Sequence, residues 1–409
     1  MGLGIYIHFP FCMSKCGYCD FASCGKDKWP DSFDGYVERM EKELEFYMDT
    51  RAGGYLEDLM VSRSHEVEKR KLGNYRRMDF VKLEKVSVET VYFGGGTPSL
   101  MEVHQVEKLM GQLRPYLKEG AEVTMECNPG TVDGDKLRAL RNAGINRISI
   151  GLQAAQDMIL KKLGRIHTFA EFERTVQWAK EAGFQNISAD VMFGLPEQST
   201  EDWARTIEMV TGMGLSHISA YGLKIEEETA FDRLVLEGRL VLPEVETERK
   251  MYHEACRLFE EKGYVQYEIS NFAKDGLVSR HNLNYWLSGD YIGIGLNSHS
   301  KLGDVRFWNY SDMVEYEDAL EYGKLPVEGF EILDLRERIF ERIILSLRLN
   351  EGLELNGFTR EFGEGLDNIF GQSVRKNVEN GLLELVEGRL RFTKRGRDLS
   401  NQVYLDFMD

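Results

Sequence analysis

Cys12, Cys16 and Cys19 stand at C-x3-C-x2-C spacing in the loop Phe11-Cys12-Met13-Ser14-Lys15-Cys16-Gly17-Tyr18-Cys19-Asp20-Phe21, directly after an apolar run over 4–9. They are half of the chain's six cysteines. Three thiolates on a short loop can each hold one iron of a [4Fe-4S] cluster, and without a fourth cysteine the last iron stays open to a substrate or cofactor. A zinc site with Cys24 or His8 as fourth ligand is the alternative. Zinc sites usually pair two C-x2-C knuckles, and the chain has no second knuckle.

Such a loop works only if rigid elements hold it. The chain has strand patterns over 4–9, 90–93, 122–126, 147–152, 187–193 and 217–223, with helical periodicity following over 37–47, 106–117, 136–143, 171–182 and 201–211. Three junctions, at Gly144, Gly183 and Gly214, place a helix-ending glycine just before a buried strand. Strand and helix alternation of this kind implies a parallel sheet with helices outside. The repeats are too few for an eightfold barrel, so the expected fold class is α/β, a partial (β/α)6 TIM-like barrel. In parallel barrels the chemistry gathers at the carboxyl ends of the strands, and the cysteine loop follows the first strand.

Other strand ends carry polar or small residues. Gly94-Gly95-Gly96-Thr97-Pro98-Ser99 follows the second strand, Glu126 ends the third, Gln153 ends the fourth and Asp190 lies in the fifth. Glycines allow close backbone approach to a bound group. Polar side chains closing apolar strands suit a ligand-binding mouth, because burial without partners is costly.

Together these residues resemble the radical S-adenosylmethionine (SAM) superfamily. There the open iron of the cluster chelates the amino and carboxylate groups of SAM, and the reduced cluster cleaves SAM to methionine and a 5′-deoxyadenosyl radical. The same architecture, a (β/α)6 barrel, is implied. Matched to the relatives of coproporphyrinogen dehydrogenase, the resemblance assigns Tyr6, Gly95, Gly96, Thr97 and Glu126 to SAM, with Gln153, Arg165 and Asp190 at a second SAM. Cys12, Cys16 and Cys19 become the ligands of the [4Fe-4S] cluster.

A narrower resemblance lies in the second half, where Arg280-His281-Asn282-Leu283-Asn284-Tyr285-Trp286 contains an H-N-x-x-Y-W string. It is similar to the hallmark of HemW-type heme chaperones. On that resemblance the chain binds heme and passes it to acceptor proteins, with the cluster and SAM regulating transfer. His281 is the candidate heme ligand, and Tyr285 and Trp286 would pack on the macrocycle. The segment Gly295-Leu296-Asn297-Ser298-His299-Ser300 departs from the small-residue loop of the pattern, which makes His299 a second candidate. Oxygen-independent coproporphyrinogen oxidases resemble the chain too, but carry a further cysteine two residues beyond the third, where this chain has Phe21. The alternative reading is therefore a radical enzyme acting on a tetrapyrrole.

Composition narrows the classes further. The chain has 409 residues, 42% of them hydrophobic, enough for one large domain and a smaller one. We expect the barrel over 1–240, a connecting region with the H-N-x-x-Y-W string over 241–332, and a winged-helix-like α+β domain over 333–409, with a hairpin turning at Gly388. An insertion over 51–85 carries the basic runs Lys69-Arg70-Lys71 and Arg76-Arg77, for which a surface segment is the default and a peripheral membrane contact the minority reading. A net charge of −17 argues against binding nucleic acid. Neither a basic leader nor an apolar stretch of spanning length is seen, and the cysteine usage suits a reducing compartment, so a cytoplasmic location is expected. A homodimer is compatible with all of this.

Overall fold

The computed structural model describes residues 2–30, 32–48 and 87–408; the insertion expected over 51–85 lies outside the described residues. Six parallel strands form the centre: β1 (Leu3–Phe9), β2 (Val88–Gly95), β3 (Leu117–Cys127), β4 (Arg147–Gln153), β5 (Asn186–Phe193) and β6 (His217–Gly222). Each pairs with the next in parallel register. Parallel neighbours need a crossover long enough to return the chain to its starting edge, and helices supply it. These are α1 (Asp34–Met48), α2 (Val103–Leu113), α3 (Gly134–Ala143), α4 (Asp157–Lys162), α5 (Phe169–Glu181) and α6 (Thr200–Gly212). The second expected helix stops short at Leu113, where Pro115 in the 3-10 turn Arg114–Tyr116 ends α-helical bonding, and β3 starts directly afterwards.

Side chains alternate across each strand, and this alternation divides core from site. Ile5, Ile7 and Phe9 of β1, Val91 and Phe93 of β2, and Ile148, Ile150 and Leu152 of β4 are buried in one apolar core. On the other face Tyr92, Glu126, Arg147, Ser149, Gln153 and Asp190 line a cavity inside the sheet's curve.

Among the described residues the sheet has twelve strands, in the order β12-β11-β10-β9-β1-β2-β3-β4-β5-β6-β8-β7. The region 241–332, expected as a connection, supplies half of them. β7 (Val265–Gln266) and β8 (Asn271–Ala273) extend one edge beside β6, while β9 (Tyr291–Ile294) pairs in parallel with β1 at the other. β10 (His299–Leu302), β11 (Val305–Asn309) and β12 (Val327–Ile332) then continue outward in antiparallel order. The C-terminal part has its own apolar core, including Ile343, Phe358, Val374 and Leu390, and a small antiparallel sheet ordered β13-β15-β14. Its strands are β13 (Leu353–Glu354), β14 (Leu383–Val386) and β15 (Arg389–Phe392). Glu387 and Gly388 both have positive φ between β14 and β15, the geometry of a tight hairpin turn. Among the described residues no helix is long and apolar enough to cross a membrane.

A buried polar junction ties α1 to the β9–β10 turn. Glu43 accepts hydrogen bonds from Gly295 N at 2.8 Å, Asn309 Nδ2 at 2.6 Å and Tyr316 OH at 2.7 Å. Burial pushes its carboxyl from 4.5 up to about 7. The folded chain therefore holds this proton more tightly than the unfolded chain between those values. The group's contribution to stability is full below pH 4.5 and is lost as pH rises through 7. Glu43→Gln cannot ionise and turns one N–H toward the donors, at a cost of about 1–3 kcal/mol. The wild-type advantage in melting temperature over Glu43→Gln should be larger at pH 5 than at pH 8. An advantage that does not change with pH would mean that Glu43 does not titrate in this window.

Candidate functional site

The cysteine loop is closed at its base by backbone pairing. Cys12 N donates to Cys24 O at 2.9 Å, and Cys24 N to Pro10 O at 2.8 Å, so the loop leaves β1 and returns to it. Within it Cys19 N donates to Cys16 O at 3.2 Å. Gly17 N donates to Leu163 O at 3.2 Å, while Gly17 O accepts from Phe231 N at 2.8 Å, which fixes the middle of the loop against two other elements. Cys12, Cys16 and Cys19 all line one cavity of about 420 Å³. Burial pushes the Cys12 and Cys19 thiols up, so iron must displace their protons when it binds.

The glycine loop lies against this base. Gly96 N donates to Phe9 O at 2.7 Å, and a Cβ on Gly96 would come within 2.8 Å of Phe11 O. Gly95 has φ +108°, and a Cβ there would meet the His8 ring at 2.7 Å. The glycines thus let β2 approach the root of the cysteine loop as well as the cavity. Thr97 follows, and its Oγ1 donates to Cys12 Sγ at 3.6 Å. Across the cavity Glu126 Oε1 accepts from Tyr92 OH at 2.8 Å, and burial pushes the Glu126 carboxyl up to about 7. Tyr6 sits one strand over, its OH bonded to His8 Nδ1 at 3.0 Å.

Of the second group of expected residues, Arg165 joins the first through a hydrogen-bond chain. Arg165 donates to Asn128 Oδ1 at 2.5 Å and to Gly151 O at 3.0 Å, and Asn128 Nδ2 donates to Thr97 Oγ1 at 2.9 Å. Arg165 also lies 3.7 Å from Cys16 Sγ. Asp190 accepts from Ser149 Oγ at 3.0 Å, and burial pushes its carboxyl up. Gln153 ends β4 at φ +70°, a conformation seldom held by a side chain of this size, which turns it into the cavity. Buried Gln153 Oε1 and Arg165 Nε have no protein partner among the described residues. Orphaned polar atoms in a cavity with three thiols fit a polar ligand held beside a metal cluster. The zinc alternative with His8 as fourth ligand fits less well. His8 Nε2 is bonded to Ala22 O at 2.8 Å and its other ring nitrogen to Tyr6, which leaves no lone pair for a metal.

A second cavity, of about 580 Å³, adjoins the first and shares Phe21, Tyr92, Gly95, Glu126, Tyr221 and Asn282 with it. The H-N-x-x-Y-W string forms its inner wall, in an arrangement unlike the expected one. His281 is buried, its Nδ1 bonded to Thr90 Oγ1 at 2.8 Å and its Nε2 to Tyr285 OH at 2.8 Å. Both nitrogens are taken, so in this arrangement His281 has none to give to iron. Its backbone N donates to Glu122 Oε1 at 3.0 Å at the start of the short helix Arg280–Trp286. Trp286 is not among the residues that line this cavity: the Arg348 guanidinium lies 4.2 Å over its ring and docks the C-terminal part there. The string is a plug between barrel and C-terminal core, with Tyr285 still lining the second cavity.

Known proteins add the family. The Radical SAM superfamily description matches residues 67–210, and the HemN C-terminal domain matches 333–399. Over 98% of this chain and 98% of the relative, the sequence is 33% identical to heme chaperone HemW of Bacillus subtilis (strain 168). The chain belongs to the HemW family. Heme chaperone HemW of Escherichia coli (strain K12) is 36% identical over 73% of this chain and 70% of its own length. Coproporphyrinogen III oxidase (HemN) from Escherichia coli, a radical SAM enzyme, has a TM-score of 0.78 over 99% of this chain and 90% of its own, at 21% identity. At that identity the likeness speaks for the shared fold.

Several residues of this HemW-family site were not singled out from sequence: Asn128, Ser149, Tyr92, Arg147 and Tyr221. A signal for them exists. Arg147, Ser149, Gly151 and Gln153 recur at a spacing of two on β4, as do His217, Ser219 and Tyr221 on β6, where the intervening residues are apolar. Buried strands with one polar face enclose a polar interior.

Proposed function

We propose that this chain is a heme chaperone that binds heme, presents it beside a [4Fe-4S] cluster and SAM, and passes it to acceptor proteins. The observation that carries the reading is full-length identity of 33% to a heme chaperone, over 98% of both chains. The geometry supports it with a cavity of ligand size walled by aromatic residues and adjoining the three-cysteine cavity.

Each residue set then has a task. Cys12, Cys16 and Cys19 hold three irons and leave the fourth to SAM. Gly95, Gly96, Thr97 and Glu126, with Tyr6 behind them, hold and orient SAM, and Gln153, Arg165 and Asp190 form a second polar pocket for a like ligand. When bound, cluster and SAM supply one-electron chemistry. Phe21, 60% exposed and lining both cavities, stands at the shared mouth, where it screens one ligand from the other.

The test adds ferric heme to the reconstituted protein and follows its passage to an apo b-type cytochrome, with 5′-deoxyadenosine measured in parallel. The wild type should bind heme and deliver it, and Cys12→Ala should still bind heme but deliver it more slowly. Failure to bind heme, with consumption of coproporphyrinogen and release of 5′-deoxyadenosine, would replace the chaperone reading with a tetrapyrrole-processing enzyme.

A further inference from the structure

The second cavity carries three imidazoles, those of His8, His281 and His299. A flat, apolar, iron-bearing ligand needs aromatic walls and at least one donor atom with a free lone pair. Tyr92, Tyr221, Tyr285 and Tyr291 supply walls. Two of the imidazoles have no lone pair left. His8 is held by Tyr6 OH and Ala22 O, and His281 by Thr90 Oγ1 and Tyr285 OH, all within 3.0 Å. Freeing either would leave buried polar partners unmatched, which is costly.

His299 differs on each count. It is exposed at the start of β10, and among the described residues no hydrogen bond engages its ring nitrogens. Its ring lies over Trp308 of the neighbouring strand, with centroids 5.9 Å apart and planes at 28°, which restricts its orientation. The turn before it is fixed as well. Gly295 N is bonded to Glu43, Leu296 N donates to Tyr36 OH at 2.9 Å, and Ser298 Oγ donates to Gly295 O at 2.8 Å. A donor on a rigid strand behind a pinned turn is placed for a ligand before the ligand arrives.

We propose that His299 is the protein's axial ligand to the iron of heme seated in this cavity, an inference that rests on the heme-binding reading above. His281 then acts as part of the wall, by holding Tyr285 in place.

Difference spectra of the reconstituted protein titrated with ferric heme test this, using wild type, His299→Ala, His299→Met and His281→Ala, with iron-free protoporphyrin IX as the parallel ligand. His299→Ala should shift the Soret band and weaken heme binding by roughly tenfold, while protoporphyrin IX affinity changes by less than about twofold, because only the iron senses the imidazole. Added imidazole should restore the wild-type spectrum to His299→Ala, and His299→Met should give a third spectrum, set by sulfur. His281→Ala should keep the wild-type Soret band. An unchanged Soret band and affinity in His299→Ala would overturn the assignment, and so would equal losses for heme and protoporphyrin IX, which point to a packing role. Wild type that binds neither ligand would remove the chaperone reading itself, and the assignment with it.

Discussion

Anaerobic reconstitution with iron and sulfide is expected to load about four of each per chain, and alanine at any one of Cys12, Cys16 or Cys19 to bring both to background. The effect is all-or-none because a cuboidal cluster on three thiolates has no spare protein ligand. The other cysteines give a built-in control. Cys127 also borders the three-cysteine cavity, but it is buried at the end of β3 with its thiol hydrogen-bonded to Ser99, and Cys256 lies on the helix Val245–Glu261, outside that cavity. Cys24 meets the cysteine loop through its backbone, which alanine preserves. Alanine at each of these three positions should leave the iron content intact. Iron lost in Cys24→Ala would redraw the ligand set, and stoichiometric zinc with no brown chromophore would remove the cluster.

How much of this the sequence discloses depends on how far apart the interacting residues lie. That Cys12, Cys16 and Cys19 share one cavity is legible because they fall within eight positions of one loop. The parallel strands are legible because their apolar runs and glycine-ended helices are local signals; Gly144, Gly183 and Gly214 all take positive φ where expected. The chain from Arg165 through Asn128 to Thr97 is not, since its bonds join residues 37 and 31 positions apart. His281 shows the same limit more sharply. A histidine beside two aromatic residues reads as an open ligand until its partners are known, and one of them, Thr90, is 191 positions away. The role of 241–332 was hidden for a related reason. β7 and β8 are two and three residues long, too short for alternation to register, yet they pair with strands that precede them in the chain or with each other to extend the sheet.

The other large effect is expected at Glu126. SAM carries a positive sulfonium and an amino group whose N–H bonds still donate when its nitrogen is on iron, and Glu126 is a carboxylate facing the cavity between the glycine loop and Asp190. Removing one side of a desolvated, hydrogen-bonded charge pair costs about 3 kcal/mol, so Glu126→Ala should weaken SAM binding roughly a hundredfold while the iron content stays at the wild-type level. Burial, chiefly, raises the Glu126 carboxyl to about 7, against the pull of the Tyr92 hydrogen bond. Below that pH the group is mostly neutral and must lose its proton to meet a cation. Wild-type SAM affinity should therefore strengthen as pH rises from 6 to 8, a slope that Glu126→Ala and Glu126→Gln should both lack. Asp190→Ala tests the second pocket and should do less to this first binding event, because its carboxylate is already engaged by Ser149. Calorimetry on the reconstituted protein decides the matter: SAM affinity unchanged in Glu126→Ala, with the cluster present, would take Glu126 out of the site and leave the glycine loop alone to hold the cofactor.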